Sequence, residues 1–265
     1  MKKSFVLVGI ASLVLALIGS VQPVHAAPLV ALSTIQPGDL VRGVAFPAVY
    51  YYGRDGFRYV FPNDKTYFTW YNDFNTVKWI SDADLAKIQI GGNATYRPGK
   101  RMIKINSDPK TYAIGAGGTL RWVTSESVAV ALFGGTWNKQ IDDVPDGFFP
   151  NYKAGADILN SADYSPVGET ANATDINTDK GLKAPFYIDI FNNNFGPSTV
   201  TIAPNTAVKF VNKDNTKHTA TSNDLSWGTG TLEPGGNFTR YFKTPGTYTY
   251  FCSYHPEMTG TIIVQ

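Results

Sequence analysis

The sequence predicts a mainly β protein of two domains: an N-terminal α+β repeat domain of hairpins and short helices, and a C-terminal Greek-key β-sandwich. Three observations carry that expectation. Tyr, Phe, Trp, Gly and Pro number 15, 16, 5, 25 and 16 in 265 residues, as suits strands joined by tight turns. From Ala184 onward, short alternating segments follow one another between Pro, Gly, Asn or Asp. Between this region and the N-terminal one lies a stretch poor in large apolar side chains.

The first 26 residues read as an export signal. Lys2 and Lys3 precede a charge-free apolar run from Phe5 to Val21, and "VHA" ends at Ala26, a small-residue cleavage site. The run is near the lower length limit for a membrane span, so a retained anchor is the alternative. The expectation is cleavage before Ala27, no membrane span afterwards, and a periplasmic, cell-surface or extracellular protein. Lys+Arg total 23 and Asp+Glu 21; removing Lys2 and Lys3 leaves 23 − 2 = 21 against 21. That balance gives no electrostatic footprint for nucleic acid or an anionic membrane surface.

Residues 27–160 contain a weak internal repeat, with units of about 38–98 and 99–152. Laid over each other at an offset of about 62, Pro47 falls on Pro109, Tyr50 on Tyr112 and Gly53 on Gly115. Arg58 falls on Arg121 after one inserted residue, and Phe74 on Trp137. Each copy reads as a hairpin followed by a short helix. Asp55-Gly56 between two aromatic runs is a hairpin turn signal. Ser81 and Thr124 or Ser125 are N-cap candidates, and Gly134 is a stop. The aromatics read as the core of this domain, with a sugar-binding or surface-contact role as the alternative. Asp39, Asp55, Asp73 and Asp82 are scattered and match no calcium loop.

Residues 161–183 are expected to be an exposed linker. From 184 to 265, "FYIDIF", "STVTIA", "AVKFVN", "HTATS", "NFTRYF", "GTYTYFC" and "GTIIV" give seven or eight strands, the spacing of a sandwich or barrel. Pro185, Pro204, Pro234 and Pro245 lie at strand starts or turns, where a missing N–H does no harm.

Chemistry concentrates in that last segment. The histidines are His25, in the signal, and His218 and His255. Cys252 is the single cysteine, in a chain expected to enter an oxidising compartment where cysteines pair. Met258 follows within "CSYHPEM". Two imidazoles and a thiolate with a weak thioether make the donor set of a blue-copper electron-transfer site. Zinc prefers four strong ligands, and haem or an iron–sulfur cluster lacks further cysteines or an attachment motif. Pro256 restricts a short loop that can turn His255 and Met258 toward the thiolate, while His218 arrives from a distant strand. Asn212, Asp214 and Asn215 read as turn residues, one of them available for a hydrogen bond behind the ligands.

In "NKDNTKHTATS", "LEPGGNFTRYFKTPGTYTYFCSYHP" and "MTGTIIV" the chain resembles the cupredoxin family, nearest to its plastocyanin- and amicyanin-like members. The resemblance covers Pro185 to Gln265. It implies one copper per chain, bound by His218, Cys252 and His255 with Met258 axial. Lys217, before the first ligand, departs from the uncharged residue of many relatives, and Glu257 is expected to offset it. The N-terminal repeat resembles a paired repeat of exported bacterial surface proteins and implies no function.

The resulting expectation is an exported one-electron carrier, not an enzyme, since a further copper needs imidazoles of its own. Its redox partner docks near His255, beside Tyr254 and Pro256, and the repeats contact the cell envelope. The alternatives are copper capture and delivery without redox turnover, or a cell-surface structural protein carrying the copper module.

Overall fold

The computed structural model describes residues 28–265, so the segment read as an export signal, 1–26 with His25, lies outside the described residues. Residues 40–93 form a five-stranded sheet of β1 (Leu40–Arg42), β2 (Tyr50–Tyr52), β3 (Arg58–Val60), β4 (Val77–Trp79) and β5 (Ile90–Asn93), in the order β4-β1-β2-β3-β5. β2 and β3 are the hairpin expected around Asp55-Gly56. Gly56 closes its turn at φ 85°, where a side chain is strained. Two short helices, α1 (Asp64–Trp70) and α2 (Asp82–Ala86), are capped by the side chains of Asn63 and Ser81.

The next sheet has the same plan. It contains β6 (Met102–Ile105), β7 (Asp108–Gly115), β8 (Thr119–Trp122), β9 (Ile141–Asp143) and β10 (Lys153–Ala154), in the order β9-β6-β7-β8-β10. In both sheets three central strands are antiparallel and the two edges are parallel. Helix α3 (Glu126–Phe133) is capped by Ser125 and ends at Gly134 with φ 77°. The registers correct one expected equivalence. Tyr51 lies opposite Tyr59 and Ala113 opposite Arg121, so Arg121 corresponds to Tyr59 rather than Arg58. Both hairpins keep the same offset, and no residue is inserted between them. Tyr51, Tyr59 and Tyr67 are buried as core residues, whereas Phe46, Phe68 and Phe74 are exposed.

The expectation of an exposed linker over 161–183 is wrong. Helices α4 (Pro166–Asn172) and α5 (Ile176–Lys180) occupy it, capped by Ser165 and Asp175. Tyr164, Ala173, Ile176 and Leu182 are buried. The Tyr164 hydroxyl donates to the Ile114 carbonyl at 2.7 Å, and the Arg54 N–H donates to Asn177 Oδ1 at 2.7 Å. Helix α4 buries none of its residues and α5 buries Ile176 beside the polar Asn177 and Asp179, so no apolar period marks either.

The C-terminal region folds into two four-stranded sheets. One contains β11 (Phe186–Phe191), β12 (Asn194–Gly196), β14 (Thr206–Asn212) and β16 (Asn237–Phe242), in the order β12-β11-β14-β16. The other contains β13 (Thr199–Ile202), β15 (Thr221–Ser222), β17 (Gly246–Phe251) and β18 (Thr259–Val264), in the order β13-β18-β17-β15. Ile188, Ile190, Val208 and Phe210 of the first meet Tyr250, Ile262 and Val264 of the second in one core. That is the packing of a β-sandwich, with inward residues alternating along each strand.

The sandwich rests on the first sheet. Tyr59 donates to Asp55 Oδ2 at 2.6 Å, Tyr241 of β16 donates to the same oxygen, and Asp55 is fully buried. Phe57 stacks on Tyr241 at 5.5 Å, and the Gln89 amide donates to the Thr239 carbonyl at 3.1 Å. Asp55→Ala strands both hydroxyls, and each unsatisfied buried group costs about 1–3 kcal/mol. The expected outcome of urea unfolding is a stability lower by about 3 kcal/mol, with Tyr241→Phe costing about 1 kcal/mol.

Candidate metal centre

The centre is assembled from two chain segments that strand pairing brings together. β17 and β18 are antiparallel, with Phe251 opposite Thr259 and Tyr250 opposite Gly260. The connection between them, 252–258, is therefore a closed loop. Within it Cys252 N–H donates to the Met258 carbonyl at 3.0 Å, His255 N–H to the Cys252 carbonyl at 3.2 Å, and Met258 N–H to the His255 carbonyl at 2.9 Å. These turns are too tight for the loop to straighten. Cys252 is fully buried and Met258 is 2% exposed, both in the sandwich core, while His255 is half-buried.

The other segment enters from the far side of β17. Thr221 of β15 lies opposite Phe251, next to Cys252. His218 pairs with Leu232 through N–H donation at 3.1 Å and acceptance at 2.8 Å, and is fully buried. The expected strand over "HTATS" thus shortens to two residues, and this bridge takes over the placement of His218.

The ligand atoms of His218, Cys252 and His255 lie within 4.8 Å of one another. Cys252 Sγ is 3.7 Å from His218 Nδ1 and 3.7 Å from His255 Nδ1. Metal bonds of about 2.3 Å to thiolate and about 2.0–2.1 Å to imidazole place two such donors about 3.7 Å apart when they subtend about 117°. Both separations therefore fit one ion bound by all three residues. The soft sulfur, the two imidazoles and the buried Met258 together suit copper.

Groups behind the ligands hold them in place. Thr219 N–H donates to Cys252 Sγ at 3.3 Å, and Thr219 Oγ1 accepts from Ser253 N–H at 2.8 Å. Thr219 therefore ties the two ligand segments together. Asn212, fully buried, donates to the carbonyls of Thr216 and Leu232, both at 2.8 Å. Asp214 Oδ2 is 3.0 Å from His218 Nε2. Asn212 and Asp214 thus do stand behind the ligands, as one turn residue was expected to. Thr219 and Ser253 were not foreseen, because a hydroxyl beside a ligand leaves no mark in composition. Lys217 pairs with Glu233 at 2.9 Å rather than with Glu257, and both are more than half exposed, so the pair contributes little. At the rim Tyr254, 51% exposed, shares a hydrogen bond with Thr231 Oγ1 at 2.9 Å.

Residues 170–264 match the family model of the cupredoxin-like domain, so the C-terminal part of the chain is such a domain. The match begins before residue 184, inside the segment read as a linker. Among solved structures the chain is similar to a Cu-containing nitrite reductase from Thermus scotoductus SA-01, at 31% identity over 31% of this chain and 23% of that one, with a TM-score of 0.30. It is similar to a variant of amicyanin in its oxidized state, at 19% identity over 31% of this chain and 82% of that one, with a TM-score of 0.30. It is also similar to a purple cupredoxin from Nitrosopumilus maritimus, at 26% identity over 30% of this chain and 99% of that one, with a TM-score of 0.28. The chain spans under a quarter of the nitrite reductase.

Burial, and then the neighbouring His255, push His218 below the ordinary histidine pKa against the opposing pull of Asp214. Burial raises Asp214, but the N–H groups of Asn193 and Asn192 and the facing His218 outweigh it and leave the carboxyl below its usual range. Above about pH 6.5 the imidazole is neutral folded and unfolded. Below it the unfolded chain takes up a proton that the folded ring resists, so stability falls with pH. Asp214 adds a loss of the same sign at lower pH. The metal-free protein is expected to show a lower urea midpoint at pH 5.5 than at pH 7.5, and His218→Asn to flatten that difference.

Proposed function

We propose that the chain is an exported one-electron carrier whose copper would be held by His218, Cys252 and His255, with Met258 as a fourth, weaker ligand. The observation that carries this reading is the pair of equal 3.7 Å separations from one buried thiol to two imidazole nitrogens. Bound copper supplies a Cu(II)/Cu(I) couple that this mixed soft and imidazole donor set accommodates in both states. Everything else falls to the chain. Thr219 N–H fixes the sulfur, the closed 252–258 loop fixes His255 and Met258, and the bridge to Leu232 fixes His218. A site held this way needs little rearrangement when its charge changes.

Burial favours retention over hand-off. Capture and delivery need incoming ligands to reach the ion, and His218, Cys252 and Met258 are all buried. His255 is the half-buried ligand, and Tyr254 and Pro256 lie exposed beside it. We assign this rim as the docking surface for a redox partner, small enough for a weak, transient encounter. The export signal, the internal repeat and a cell-envelope role for residues 27–160 belong to the same proposal. So does the assignment as a non-enzyme: His218 and His255 are the two histidines after residue 26, and both are used.

Copper titration of the full chain tests the reading. One equivalent of Cu(II) is expected to give an intense blue colour that Cys252→Ser abolishes. A colourless complex contradicts it. Reversible reduction with fast self-exchange is expected of a carrier. Slow exchange with Cu(I) passing to an acceptor marks delivery instead.

A further inference from the structure

The two imidazoles are not equivalent. His255 has its Nδ1 at the thiol, and no hydrogen bond from its other ring nitrogen is found among the described residues. His218 also has Nδ1 at the thiol, but its Nε2 faces a carboxylate, Asp214 Oδ2, at 3.0 Å, with Thr216 Oγ1 at 3.1 Å.

That carboxylate is held from a separate part of the chain. The turn joining β11 to β12 places Asn192 and Asn193 at φ 51° and 54°. Both N–H groups then point at Asp214: Asn192 donates to Oδ1 at 2.8 Å and Asn193 to Oδ2 at 3.0 Å. Asn is one of the side chains that tolerate this conformation. The Asp214 N–H donates in turn to Asn212 Oδ1 at 3.0 Å. The carboxylate therefore has a fixed place. Among the described residues no lysine or arginine neutralises it. Lys213 is paired with Asp189 and Lys217 with Glu233. The imidazole of His218 is the one ionisable partner left to Asp214.

We propose that Asp214 is a positioning residue that biases the site toward Cu(II), an inference that rests on the copper reading above. Its carboxylate accepts the Nε2 proton and so selects the tautomer whose Nδ1 lone pair faces Cys252. An acceptor carrying a full negative charge also raises the basicity of the ring. A more basic donor favours the more highly charged oxidation state, so Asp214 lowers the reduction potential. His255, with no such acceptor, does not contribute in this way. Thr216, a neutral hydroxyl, is a weaker second acceptor.

The experiment compares the copper-loaded full chain with Asp214→Asn, Asp214→Ala and Thr216→Val by redox titration, and records the His218 tautomer by 15N NMR in the metal-free wild type. Removing a partner of this kind costs about 10–100-fold in metal affinity. The expected loss falls on Cu(II) more than on Cu(I) in both Asp214 variants, with a smaller change in Thr216→Val. A tenfold selective loss raises the potential by about 59 mV. A purely structural role for Asp214 would lower stability and leave the potential in place. A Cu(II)/Cu(I) affinity ratio within twofold of wild type in a folded Asp214 variant overturns the proposal. So does an Nδ1–H tautomer in the metal-free wild type, a result that needs no copper and still decides if Asp214→Ala does not fold. Wild-type protein that takes up no copper is instead a failure of the copper reading.

Discussion

The rung that places Thr221 opposite Phe251 sets where the two halves of the metal site meet. His218 lies three residues before Thr221, ahead of β15, and Cys252 lies one residue after Phe251, just past the end of β17. Because side chains alternate along a strand, a slip of one residue would turn the inward set outward. The register is held by what lies beneath it. Tyr250 is fully buried one rung below, against Phe195, Phe210 and Trp227. Gly260 opposite it has no side chain, and a Cβ there would fall 2.2 Å from the Tyr250 ring. The ring lies over the glycine, and the strand pair that closes the ligand loop depends on that contact.

A rigid frame of this kind explains why so few residues behind the ligands suffice. Asn212 ties the turn before His218 to the strand carrying Leu232, and Thr219 ties both ligand segments to each other. The Asn192–Asn193 turn then holds the Asp214 carboxylate against one imidazole and not the other. Geometry and electrostatics are thus supplied by different parts of the sandwich. The first sets distances between donors, and the second, on the proposal above, sets which oxidation state they favour.

The candidate ligands were legible in the sequence for an unusual reason. His, Cys and Met are so scarce here that counting them isolates the set, and loop spacing places three of them together. The hairpins and caps were legible because Asp55-Gly56, Ser81 and Ser125 impose local geometry by themselves. What escaped the sequence is long-range. Asp55 reads as a turn residue, and nothing in its neighbourhood announces Tyr241, 186 positions away. Residues 161–183 read as a linker because their burial rests on isolated side chains such as Tyr164 and Ile176 rather than on a periodic face. Arg121 was set against the wrong residue because one matching letter outweighed the register that only strand pairing defines.

The central claim is that one ion sits among Cys252, His218 and His255. X-ray absorption at the copper edge of the loaded full chain addresses it most directly. The account predicts a copper shell of one short sulfur bond and two imidazole nitrogens. A shell of nitrogen and oxygen alone would contradict it.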